Sequence, residues 1–85
     1  MNKTGQWLLT TIHSDYIVNF DDKTLTRIPR IKNPLRKDGE RIPFFNIEEV
    51  KIGEGCHMLL DVVGSGVQTL RLTSDVISFE PYGNN

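Results

Sequence analysis

Turn signals divide the chain into short apolar segments spaced by about 8–12 residues. β-branched and aromatic side chains dominate residues 6–13, and residues 16–20 place Tyr16, Val18 and Phe20 on one face. Neither segment sustains the i, i+3, i+4, i+7 stripe that marks an amphipathic helix. This spacing predicts an all-β fold of short antiparallel strands.

The predicted strands number six to seven. They cover residues 6–13, 16–20, 24–28, 42–45, 57–63, 68–73 and 76–79. Pro29 ends the third strand because proline has no N–H to give to a sheet ladder. The glycines of residues 64–66 permit a tight hairpin turn. Residues 46–50 form at most one helical turn, with Asn46 as its cap.

The size of the chain limits how the sheet hides its edges. With 85 residues the chain makes one domain, which we place at residues 1–80, and we expect residues 81–85 to fray as a tail. A sheet this small must close on itself or pair with a partner. We therefore predict a small barrel or roll, either a monomer or a homodimer joined through edges or apolar faces.

Charge is distributed unevenly along the chain. Residues 27–41 hold six basic residues against two acidic ones, a net charge of +4, and the remainder holds four basic and nine acidic residues, or −5. The six basic residues are Arg27, Arg30, Lys32, Arg36, Lys37 and Arg41. The whole chain has a net charge of −1, which is unlike most nucleic-acid modules. Three interpretations of this basic segment are open. The favoured one is a connector that also docks a partner, the second is a dedicated protein-contact loop, and the third is a nucleic-acid arm.

Two phenylalanines, Phe44 and Phe45, stand at the exit of the basic segment. Consecutive strand residues face opposite sides of a sheet. We therefore expect one ring in the core and the other at the surface beside Arg36 and Arg41, unless the loop covers both. An aromatic ring with nearby arginines is typical of protein–protein hot spots and of single-stranded nucleic-acid sites.

No group of residues predicts catalysis or metal binding. His13, Ser14 and Asp15 have the residue types of a hydrolase triad, but neighbours on a strand point apart. Cys56 and His57 are good metal ligands, yet zinc needs three or four of them and His13 is the only other histidine or cysteine. We therefore predict no enzymatic activity, no metal and no cofactor.

Cysteine content and hydropathy indicate the compartment. Cys56 is the only cysteine, so an internal disulfide is excluded and a reducing cytoplasm is favoured. The longest apolar runs contain a few residues, far fewer than the about 20 that cross a bilayer. The N-terminal stretch also lacks the apolar core of a signal peptide. We expect a cytoplasmic protein without a membrane partner.

Several spaced motifs carry a family resemblance. They are Thr11-x-x-Ser14-x-Tyr16-x-x-x-Phe20-Asp21, Thr24-x-Thr26-Arg27-x-Pro29, Leu35-Arg36-x-Asp38-Gly39-Glu40-x-x-Pro43, Met58-x-Leu60 and Thr73-Ser74-x-Val76-x-x-Phe79. In these motifs, which span most of its length, the chain resembles small uncharacterised all-β proteins of actinobacteria and their phages. The resemblance implies a cytoplasmic accessory protein of a phage or prophage that acts on a host protein. It assigns no catalytic residue.

The sequence as a whole favours a binding module over an enzyme. We predict that it binds a protein partner through the basic segment, with Phe44 or Phe45 as an aromatic anchor. Uneven charge would steer the encounter, and desolvation of the ring would hold the complex. The alternative is that the same segment binds single-stranded or duplex nucleic acid.

Overall fold

The computed structural model describes residues 4–30 and 38–83. In this part of the chain seven antiparallel strands form one sheet, and there is no helix. The strands are β1 (Gln6–Thr11), β2 (Ser14–Asn19), β3 (Thr24–Pro29), β4 (Arg41–Ile47), β5 (His57–Leu60), β6 (Thr69–Leu72) and β7 (Val76–Pro81). The prediction of an all-β fold of six to seven antiparallel strands is confirmed, and β3 ends at Pro29.

The order of the strands in the sheet is β6-β5-β4-β3-β2-β1-β7. β1 to β6 form a meander in which each strand pairs with the next along the chain. β7 then returns to pair with β1, and this places Leu9 opposite Phe79. Within the described residues, β6 and β7 each have one strand neighbour. The sheet is therefore not closed, and the predicted barrel is not confirmed.

One face of the sheet carries the hydrophobic core. Its fully buried aliphatic side chains come from six of the seven strands and include Leu9, Val18, Leu25, Ile42, Met58, Leu60 and Val76. Each contributes about 1.5–3 kcal/mol through removal from water. The sheet curls around this face, as shown by hydrogen bonds between the segment before β5 and β7. There the Gly53 N–H donates to the Val76 carbonyl at 2.8 Å, and the Val76 N–H donates to the Glu54 carbonyl at 2.9 Å.

The middle of the chain departs from the sequence prediction. The predicted helical turn near residues 46–50 is not formed, since Asn46 and Ile47 extend β4 and pair with Leu59 and Met58 of β5. Pairing with β5 gives these backbone groups the hydrogen bonds that a helix would otherwise supply. The register shifts between Phe44 and Asn46, so a β-bulge interrupts β4.

The end of the chain is ordered further than predicted. β7 continues to Pro81, and the Tyr82 N–H donates to the Gln6 carbonyl at 3.0 Å. The tail predicted at residues 81–85 is therefore tied to the sheet as far as Tyr82, and residues 84–85 lie outside the described residues. The described part of the chain contains no helix long and apolar enough to cross a membrane.

Asp61 organises the loop between β5 and β6. Its Oδ1 accepts hydrogen bonds from the N–H groups of Gly64 at 2.8 Å and Ser65 at 3.1 Å, and its Oδ2 accepts one from Gly66 at 3.2 Å. Gly64 and Gly66 have φ values of 80° and 82°, which residues with a Cβ rarely adopt. The glycines do bend the chain here, but β5 ends at Leu60 and β6 begins at Thr69, so the connection is a loop of residues 61–68 and not the predicted tight hairpin turn. The role of Asp61 was not predicted.

Candidate functional site

The buried Arg27 is the first of the predicted contact residues along the chain. Its Nη1 lies 2.7 Å from Oδ2 of Asp38, and its carbonyl accepts a hydrogen bond from the Gly39 N–H at 2.9 Å. Tyr16 faces it directly across the β2–β3 pair. Burial lowers the pKa of Arg27, but hydrogen bonds with Asp38 and Tyr16 outweigh burial and leave that pKa above its ordinary value. Arg27 therefore holds the end of the basic segment against the sheet and faces the interior.

The other predicted cations of the described chain lie at the surface. Nε of Arg30 lies 3.1 Å from Oδ1 of Asp15, and Nη1 of Arg41 lies 3.7 Å from Oδ2 of Asp22. An exposed ion pair such as Arg41–Asp22 contributes at most about 1 kcal/mol, so Arg41 can exchange Asp22 for an acid of a partner. Arg30 is itself exposed, but the Asp15 side chain is only 27% exposed. The remaining predicted residues, Lys32, Arg36 and Lys37, lie outside the described residues.

Phe44 and Phe45 face opposite sides of β4, as predicted. Phe44 is 8% exposed and belongs to the core, whereas Phe45 is 42% exposed. Arg41 and Pro43 are exposed on the same strand. An aromatic ring and an arginine therefore lie along β4, and they are separated by about 13 Å at the usual rise per residue.

Phe45 also lines a groove with a volume of about 570 Å³ at the β2–β3 turn. Phe20, Phe44 and Phe79 line its aromatic part, with centroid distances of 5.9 Å from Phe20 to Phe44 and 6.4 Å from Phe20 to Phe79. The other residues around it are Lys23, Asn46, Ile47, Glu48, Glu49 and Val50. We call this surface the aromatic groove. It can accept an apolar side chain beside charged groups of both signs.

Two further phenylalanines of this groove, Phe20 and Phe79, were not predicted to be part of a site. Phe20 follows the last residue of β2, and Phe79 lies in β7. Phe20 could have been found from its position directly before the Asp21-Asp22 turn. An aromatic ring at the end of a strand is only partly covered by the sheet. Phe79 carried no such signal, because its place depends on the pairing of β7 with β1.

The candidate catalytic and metal-binding groups are not brought together. His13 is exposed and Ser14 is buried, and likewise Cys56 is buried and His57 exposed. Burial, aided by the negative charge of Glu48, raises the pKa of the Cys56 thiol to about 11, so little reactive thiolate forms near neutral pH. The described part of the chain contains no group of three or more His, Cys, Asp and Glu side chains that could hold a metal.

Comparisons with known proteins do not assign this surface. No protein-family model matches the chain, and no curated protein or solved structure is significantly similar to it. The motif resemblance to actinobacterial and phage proteins therefore stays a prediction.

Proposed function

We propose that this protein is a non-catalytic module that binds another protein through the aromatic groove and the basic segment. The observation that carries the proposal is the exposed ring of Phe45 at a groove lined by Phe20, Phe44 and Phe79. A partner side chain entering the groove would lose contact with water on several sides. Apolar anchors buried in this way supply most of the affinity of protein interfaces.

The basic segment supports an acidic partner. Asp38 pairs with Arg27 inside the domain. Residues 27–41 then contain five other basic residues and one other acid, Glu40, a net charge of +4. Complementary charge of this kind accelerates encounter and selects among partners. It also predicts an association rate that falls as salt is added.

The titratable groups at the two concave surfaces bear on catalysis, which a histidine and a carboxylate from separate strands at one surface would favour. Glu48 and Glu49 line the aromatic groove. His57 of β5 does not line it, but its Nδ1 lies 3.2 Å from Oε2 of Glu48 in an exposed pair. A second, smaller cavity has His13 but no carboxylate among the described residues that line it.

The setting of the proposed function follows from the sequence. The single cysteine supports a cytoplasmic protein, and the motif resemblance supports an accessory protein of a phage or prophage acting on a host protein. Leu70 and Leu72 are exposed on the edge strand β6, which is compatible with pairing between two copies. Sedimentation over a concentration series separates the monomer from the homodimer.

Capture on immobilised protein tests the proposed surface. Proteins retained from host lysate by wild type are identified, and their affinities are measured for wild type, Phe45→Ala and the control Ile12→Ala. Ile12 is also exposed but lies in the β1–β2 turn, at the other end of β2 from the groove. We expect Phe45→Ala to weaken binding about 30-fold, as for a hot-spot residue, and Ile12→Ala to change it less than twofold. Equal affinity of wild type and Phe45→Ala would refute the proposal.

Nucleic acid is the second candidate partner. The exposed ring of Phe45 with Arg41 on the same strand also suits a stacked base and a phosphate. A gel-shift assay at low salt with single-stranded and duplex probes distinguishes the two candidates. Retardation that is lost in Phe45→Ala would favour nucleic acid, and no shift at micromolar protein would remove this candidate.

A further inference from the structure

We infer that the smaller cavity, at the β1–β2 end of the sheet, binds a phosphate group. Its volume is about 160 Å³, and it is lined by His13, Ser14, Tyr16, Arg27, Arg71, Leu72, Thr73 and Ser74. We call it the arginine cavity. The cavity shares no lining residue with the aromatic groove, and the inference does not depend on the proposed protein binding.

Curling of the sheet brings the two arginines to one cavity. Arg27 is on β3 and Arg71 is on β6, and in the strand order β5 and β4 lie between them. Arg71 pairs in register with the buried Met58, so its side chain extends from the concave face. The two guanidinium groups therefore approach the cavity from different strands.

Each arginine has a buried N–H group without an acceptor in the described protein. These are Nε of Arg27, a residue that is 4% exposed, and Nη1 of Arg71. A buried donor without an acceptor costs about 1–3 kcal/mol, and more when the group is charged. Two such donors on one cavity are a strong reason to expect an anionic ligand there.

The chain supplies no carboxylate side chain to the cavity. All 11 of its aspartates and glutamates lie within the described residues, and none of them lines the cavity. Asp38 reaches Arg27 through Nη1, not through Nε. The cavity is therefore lined by the positive charge of Arg71, and each of its two arginines has a buried N–H group without an acceptor in the described part of the chain.

The neighbouring hydroxyl groups favour a tetrahedral anion over a planar one. Oγ of Ser74 accepts a hydrogen bond from the His13 N–H at 3.1 Å, which leaves its own O–H as a donor. Ser74 lies in the β6–β7 connection, so its O–H adds a donor from a third element to the guanidinium groups of β3 and β6. Donors converging from three elements match the oxygens of a phosphate group, and guanidinium is the side chain best suited to it.

The arginine cavity and the aromatic groove lie at opposite ends of the sheet. Ser14 lines the cavity at the start of β2, and Phe20 lines the groove just after its end. Six residues of extended chain separate the two by about 20 Å. Ligand binding at either site can therefore be measured without changing the other.

The test is a ¹⁵N–¹H NMR titration of the full chain with sodium phosphate and, separately, phenyl phosphate, at constant ionic strength set by sodium chloride. We expect saturable shifts of the His13, Ser14, Thr73 and Ser74 amides. Arg71→Gln should weaken binding at least tenfold. The matched control Arg30→Gln, an exposed arginine outside the cavity, should stay within twofold of wild type, and so should Phe45→Ala.

The two probes identify the form of the ligand. Binding of phosphate but not of phenyl phosphate supports a site for the free anion. Equal or tighter binding of phenyl phosphate supports a phosphate monoester on a larger molecule. Shifts that do not saturate, or an Arg71→Gln variant that binds within twofold of wild type, overturn the inference.

A folded state of the variant is verified from its amide dispersion. If Arg71→Gln is unfolded, Arg71→Lys replaces it, because lysine keeps the charge but loses the planar fork of donors. Arg71→Lys should bind more weakly than wild type. Unchanged affinity in that variant would also overturn the inference.

Discussion

Arg27 and Asp38 form the most buried ion pair in the described part of the chain, with 2.7 Å between Nη1 and Oδ2 and side chains 5% and 12% exposed. The pair joins the inner face of β3 to the end of the basic segment. A charge in such a place is tolerated only while its partner remains, because water cannot replace the lost interaction.

Removal of Asp38 should therefore destabilise the fold. We expect Asp38→Ala to lower the free energy of unfolding by about 3 kcal/mol, measured by urea denaturation. The double variant Arg27→Met/Asp38→Ala should be more stable than Asp38→Ala alone, since it leaves no unpaired cation. The control Arg41→Gln breaks an exposed pair and should cost less than about 1 kcal/mol. An Asp38→Ala midpoint equal to that of wild type would contradict this view of the pair.

The two phenylalanines of β4 should differ in their effect on stability. We expect Phe44→Ala to lower the free energy of unfolding by about 3–5 kcal/mol because it opens a cavity in the core. Phe45→Ala should cost less than about 1 kcal/mol, as is usual for surface positions. Thermal unfolding of the two variants measures the difference. Similar losses in both would mean that Phe45 is packed like a core residue, which would remove the basis of the proposed interface.

The strands could be predicted from the sequence because their signals are local. Each of these signals depends on neighbours a few positions away: the alternation in residues 16–20, Pro29 at the end of β3 and the glycines of residues 64–66. The opposite exposure of Phe44 and Phe45 follows from the same periodicity. The extension of β4 through Ile47 was not predicted. Asn46 suits a helix cap as well as a strand, and its pairing with β5 depends on residues more than ten positions away.

The candidate site could be predicted only in part, because it depends on contacts between distant residues. Arg27 is buried beside Asp38, which lies eleven positions further along the chain and must return to β3 to pair with it. The groove needs Phe79 to return beside Leu9 through the β1–β7 pairing. The approach of Arg71 to Arg27 depends on the curvature of the whole sheet. None of these contacts leaves a periodic signal in one sequence.

Asp61 should control the order of the β5–β6 loop. Its carboxylate accepts three backbone N–H groups, and we expect Asp61→Ala to cost about 2 kcal/mol. Hydrogen exchange at Gly64, Ser65 and Gly66 should accelerate in that variant. Asp21→Ala removes another exposed aspartate and serves as the control for lost charge. Unchanged exchange at the three amides would show that the glycine turn holds its shape without Asp61.

The Cys56 thiol should make stability depend on alkaline pH. Its pKa rises on folding from an ordinary value of 9.0 to about 11. The neutral thiol is therefore favoured in the folded state. Its contribution is complete below pH 9 and is lost as the pH rises through about 11. The loss amounts to at most about 3 kcal/mol.

Comparison with Cys56→Ala isolates this effect from other groups that titrate in the same range. The free energy of unfolding of wild type should fall more steeply between pH 9 and 11 than that of the variant. Alkylation by iodoacetamide at pH 8 should be much slower in the native protein than in urea. Parallel pH profiles of wild type and Cys56→Ala would show that the thiol has the same pKa in the folded and the unfolded state.

The return of β7 to the edge of β1 has a consequence for the folding pathway. Every other neighbouring pair in the sheet joins strands that are consecutive in the chain, so each can form as a hairpin after a short loop closes. Pairing of Leu9 with Phe79 closes a loop of about 70 residues, which is entropically more costly and slower. We therefore expect the meander to form first and β7 to dock last. Until it docks, β1 is an open edge and the aromatic groove lacks Phe79.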